Sequence, residues 1–208
     1  MKKAVVAAVI ALGAAMGVRA QDQGVKQVEQ LIKKSNAVLH SIEDTKAQVQ
    51  HTMDAYNLVV APETKDRKSA FNKLNKEIEE TKKKRDDIPK RVDEANGEAD
   101  TLFKGWADAA ASISDPDLKA KSQKRLTDAK ARHAEIQADA QKAGTLYNTF
   151  MKSLADRVTF LGHDLNDASV ASMKPESAKL NTQATELYAA IDKVTGALAT
   201  SIAKLSPK

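Results

Sequence analysis

His163, Asn166 and Asp167 stand at the i, i+3 and i, i+4 spacings that stack side chains on one face of a helix. An imidazole beside an amide and a carboxylate has the chemistry to hold a metal ion or a polar ligand. The same three groups also suit an ordinary His163–Asp167 surface pair, or a polar bridge to the turn around Pro175. The surface pair is preferred, because His40, His51 and His133 supply no second ligand at i, i+4 and fall at other levels of the chain. No metal is expected. A second candidate pairs Phe103 with Trp106, the only tryptophan. Left exposed, the two rings would bind a partner protein or a membrane surface. Packed, Trp106 would rest on Leu126, and Phe103 would lie under the start of the first helix. Packing is preferred for Trp106, and Phe103 fits either reading.

Other chemistries lack their parts. The chain has no cysteine, which removes thiolate chemistry, disulfides and a lipid-bearing cysteine together. Its serines have no glycine-framed elbow, no glycine loop could cradle a phosphate, and the carboxylates lie on a charged helical surface. Neither a catalytic residue nor a cofactor is expected.

The residues that must position these groups begin after an export signal. Lys2 and Lys3 precede an apolar or small-residue run from Ala4 to Met16, and Val18-Arg19-Ala20 offers small residues at the two positions a signal peptidase reads. The reading is a signal peptide over 1–20, cleaved after Ala20, and one helical domain over 21–208. Cleavage removes three of the 33 basic residues and no acid, leaving 30 against 28 and a net charge of +2 where the full chain has +5. So slight an excess is poor support for nucleic-acid binding. No later stretch reaches the roughly 20 apolar residues of a membrane span.

Apolar residues recur every three then four positions, which predicts four helices over roughly 25–60, 65–113, 116–172 and 176–205. Pro62, Pro116 and Pro175 each open a new periodic segment, and Asp115 is placed to cap the third. Pro89 interrupts the second ladder and predicts a kink, or a restart capped by Asp86 or Asp87.

Folding the ladders back on one another fixes a register, because facing residues of antiparallel helices have numbers of constant sum. About the 61–66 turn Met53 faces Leu74 and Val49 faces Ile78. About the 114–117 turn Ile88 faces Ala143, Val92 faces Ala140 and Leu102 faces Ala129. About Pro175, Leu161 faces Leu187, Leu154 faces Val194 and Phe150 faces Leu198. In that alignment the fourth helix stops at Leu205 opposite Ala143, and Tyr56, Phe71, Leu161 and Leu187 share a layer. The expected fold is all-α, an elongated antiparallel four-helix bundle or coiled coil with a protruding two-helix hairpin tip. At about 1.5 Å per residue its third helix runs on the order of 80 Å. Lys46, Thr81 and Arg85 fall on the ladders, where they would fix register or line an aqueous pocket. The structural role is preferred, since long basic stems cover apolar surface while their charged ends reach water.

Four strings resemble a known family: Phe71-Asn72-Lys73-Leu74-Asn75, Leu102-Phe103-Lys104-Gly105-Trp106, Arg125 with the basic run after it, and Phe160-Leu161-Gly162-His163-Asp164-Leu165-Asn166. Over most of the mature chain they are similar to an exported bacterial family of helical proteins, the domain-of-unknown-function family numbered 2959. Gly162 and Asp164 stand where that family commonly has lysine and asparagine, and the lipid-bearing cysteine of some members is missing. The resemblance implies an all-helical exported protein and carries no activity.

The functional expectation is a non-catalytic periplasmic or secreted interaction or scaffold protein with a protein partner in the cell envelope. A holdase-type chaperone, and a small-ligand or metal binder using the four-helix core, are the alternatives. Oligomerisation by exchange of hairpins is open.

Overall fold

The computed structural model describes residues 18–205. Most of the expected signal peptide, residues 1–17, lies outside the described residues. All regular structure described is helical: α1 (Val18–Val60), α2 (Arg67–Asp86), α3 (Ile88–Ala111), α4 (Pro116–His163), α5 (Asp167–Ser172) and α6 (Lys174–Leu205).

Local chemistry explains the boundaries. Asp66 caps α2 by accepting from the Ser69 N–H at 2.9 Å. Asp115 caps α4 as expected, its carboxylate accepting from the N–H groups of Asp117 and Leu118 at 2.9 and 3.0 Å. The second predicted helix is interrupted at Asp87 and restarts at Ile88. Pro89 then occupies a first turn, where its missing N–H leaves no hydrogen bond unmade. Pro62 departs from expectation. It sits in the connection between α1 and α2, and its carbonyl accepts from Arg67.

The chain divides into two compact units. The first contains the α1 residues up to Leu39, Pro89–Gln137, and the chain from Gly196 on. Its core gathers Leu31, Ala99, Leu102, Phe103, Leu126 and Ala129, with Val28, Trp106 and Leu205 packed against it. Lys34 pairs with Glu94, and Gln137 donates to Asn96 at 3.1 Å. The first and second expected alignments therefore hold here.

The second unit comprises His40–Ile88 and Ala138–Thr195. Its fully buried side chains include Tyr56, Leu74, Phe150, Leu154, Leu161, Leu180 and Leu187, and burial of each leucine contributes about 1.5–3 kcal/mol. Lys84 meets Asp44 and Gln48 meets Glu77, while Arg85 lies over the Tyr147 ring. These contacts keep the first two alignments. On α1 the buried set also takes in Thr45, Thr52, Ala55 and Val59, beside the predicted ladder. The helix touches α2 on one flank and α6 on the other, through Thr52–Thr81 and Tyr56–Ser177. Two neighbours require an apolar face wider than a single seam.

The third alignment is overturned. Lys193 pairs with Asp139 at 2.7 Å, whereas the sequence reading placed it beside Ala155 or Asp156. Arg157 pairs with Glu176, not with the level of Ile191, and Tyr56 meets Ser177, not Leu187. Leu205 accordingly packs beside Leu126 and Ala129, far past Ala143. The cause is an early stop. The predicted third helix ends at His163, nine residues short of its expected end at 172, and residues 164–173 are spent on a connection containing α5. The fold-back point moves toward the N-terminus, and α6 slides along α4 with it.

Candidate functional site

The break at His163 dismantles the first predicted cluster. His163 is the last residue of α4, while Asn166 caps α5, so the three polar residues do not share a helix face. The Asn166 side-chain oxygen Oδ1 accepts from the Ser169 N–H at 2.9 Å, and its side-chain Nδ2 donates to Asp164 at 2.6 Å. Ser169 donates to the other Asp164 oxygen at 2.6 Å. Asp167 is engaged by Arg67 at 3.2 Å and not by His163. The Arg67 side chain is 10% exposed, and its Nη2 donates to the carbonyls of Ala61 and Pro62. Its Nη1 faces Asp167 without hydrogen-bond geometry, and Nε is buried without a partner. The arrangement ties the first connection to α5 by charge.

The aromatic pair is packed. Phe103 is buried at 9% exposure, edge-on to His133 with centroids 5.7 Å apart. Trp106 packs against the cluster containing Leu126 and donates from Nε1 to Ser122 at 3.0 Å. The Arg125 guanidinium lies 5.8 Å from the Trp106 ring centre. Phe103 therefore offers no exposed aromatic surface, and Trp106 is half-buried. Large apolar side chains that do stand exposed are Leu58, Leu118 and Phe160. They are single residues, as most soluble surfaces carry.

The polar ladder residues are satisfied from within. Thr81 is fully buried, and its hydroxyl lies 2.8 Å from that of Thr52, which also reaches the Gln48 and Glu77 carbonyls. Lys46 runs its stem over the core and pairs at its tip with Asp192. Arg85 covers Tyr147, whose phenol burial pushes up to about 12 against the opposing guanidinium charge. Tyr188 is likewise raised to about 12 by burial, with Asp54 adding to the effect. Tyr56 is raised by burial although its hydrogen bond to Ser177 opposes the shift. These phenols stay neutral at physiological pH.

Burial lowers the His133 imidazole, with Asp100 opposing. His40 approaches Glu43 at 3.5 Å. Among the described residues no three His, Cys, Asp or Glu side chains gather closely enough to hold a metal ion.

Sequence reasoning missed one concave feature, a cleft of about 370 Å3 between α4 and α6. Leu146, Ala189 and Ala190 supply its apolar lining, and Asp139, Lys142, Glu186 and Lys193 its charged lining. The overturned alignment hid it, because only the observed register sets Asp139 opposite Lys193. The detectable signal was the paired small residues Ala189-Ala190 flanked by charge at helical spacing.

Among the described residues all regular structure is helical, which defines an all-α protein. Its family is DUF2959, a protein family of unknown function whose model matches residues 19–205, and the chain belongs to it. Neither a curated protein nor a solved structure matches the chain. Among the described residues no helix is long and apolar enough to cross a membrane.

Proposed function

We propose that this chain is a non-catalytic exported protein that works by interaction, as a scaffold in the cell envelope. The finer architecture in this reading is an antiparallel four-helix bundle. The observation that carries it is the disposition of the polar groups. Core hydroxyls bond to one another or to carbonyls, as Thr52, Thr81, Tyr56 and Ser177 do. Surface cations find acids on their own helix, as in Lys82–Glu79, Lys83–Glu80, Lys124–Asp128 and Lys179–Glu176. Groups so engaged are poor nucleophiles and poor proton carriers, and what stays available is long mixed-charge helical surface.

Crosslinking in the native cell envelope, followed by mass spectrometry, tests the proposal. A small reproducible set of partners is expected, lost when the exposed charges of one helix face are reversed. A chain that crosslinks to nothing, or that suppresses aggregation of an unrelated unfolded protein at near-equimolar ratio, is not a scaffold.

A further inference from the structure

The α4–α6 cleft carries an inference that goes beyond the interaction reading and does not depend on it. Ala189 and Ala190 are small, and Ala190 and Leu146 are half-buried in the lining of the cleft. Asp139, 19% exposed, pairs with Lys193 from one helix to the other. The other charged residues, Lys142 on α4 and Glu186 on α6, are both exposed, and neither takes part in an ion pair or hydrogen bond among the described contacts. The register that joins Asp139 to Lys193 sets Lys142 level with Ala190 and Glu186 level with Leu146. An unpaired ammonium and an unpaired carboxylate thus face the cleft from opposite walls, offset by one helical turn, about 6 Å along the axis.

We propose that this cleft binds short zwitterionic peptides of two or three residues. The peptide carboxylate pairs with Lys142 and its ammonium with Glu186, while small apolar side chains lie on Leu146, Ala189 and Ala190. Two extended residues span about 7 Å and three about 10 Å, which matches charges set one turn apart on opposite walls. The volume falls within the range of small-molecule sites, roughly 300–1,000 Å3. A ligand charged at one end only would gain one of the two attractions.

The test titrates trialanine into the full-length protein at low ionic strength and follows backbone amide resonances. Saturable shifts confined to residues 139–146 and 186–193 are expected. N-acetyl trialanine amide, which lacks both terminal charges, is expected to produce none. Lys142→Glu and Glu186→Lys each replace an attraction by a repulsion and weaken binding about tenfold. The exchange Lys142→Glu/Glu186→Lys recovers most of the loss, because a zwitterion can lie the other way round. Both positions are exposed, and far-UV circular dichroism verifies that the variants fold. No saturable shift at millimolar trialanine, equal binding of the blocked peptide, or a double variant as weak as the single ones would overturn the proposal.

Discussion

His133 is where a single residue couples most directly to solution conditions. Its ring packs edge-on against Phe103 in the core of the first unit, and that burial holds its pKa below the ordinary 6.5 while Asp100 acts in the opposite sense. Above pH 6.5 the imidazole is neutral whether the chain is folded or not, so the packed ring contributes fully. As the pH falls from 6.5 through the depressed value, the unfolded chain takes up a proton that the folded chain resists, and stability is lost. Below the depressed value both forms are protonated and the loss levels off. Urea midpoints for the wild type and for His133→Gln, taken between about pH 7.5 and 5, should therefore converge on acidification. A wild type that gains stability relative to the variant as pH falls would show that Asp100 dominates over burial.

At the scale of helices, the turns decide what periodicity cannot. Ladders of apolar residues repeating every seven positions still match after sliding by two repeats, since Leu or Val then faces a different Leu or Val. The level of Asp44 with Lys84 and of Leu102 with Ala129 was legible because the 61–66 and 114–117 turns were located correctly. Leu161 opposite Leu187 was not, because the ladder ran in phase through Leu165 and concealed the stop at His163. The capping chemistry of Asn166 with Ser169 was the local sign of that stop. Phe103 and Trp106 were legible as neighbours, but their burial depended on the first helix lying over them. The slip amounts to about 16 residues, or roughly 24 Å along α4. Spin labels on Asp139→Cys and Lys193→Cys, in a chain free of native cysteine, should accordingly lie much closer together than labels on Ala155→Cys and Lys193→Cys. The reverse order of distances would restore the alignment read from periodicity.

Across the whole molecule, charge is abundant and short-ranged. Charged residues make up 29% of the chain, yet basic and acidic groups nearly cancel. Many pair within one helix turn, as Lys82–Glu79 and Lys124–Asp128 do, with side chains mostly well exposed. Exposed pairs of this kind contribute about 0–1 kcal/mol each and weaken as added salt shortens the Debye length. Salt also relaxes the repulsion within like-charge runs such as Lys82-Lys83-Lys84-Arg85, so the two effects oppose each other. The apolar cores that dominate stability do not weaken with salt. Raising sodium chloride from about 0.05 to 0.5 M should therefore shift the melting midpoint by no more than roughly 5 °C, since about 1 kcal/mol corresponds to 2–4 °C in a chain of this size. Circular dichroism at both concentrations measures it. A fall several times larger would mean that the charge pairs, Arg67–Asp167 and Arg157–Glu176 foremost among the partly buried ones, hold the fold in place of its leucines.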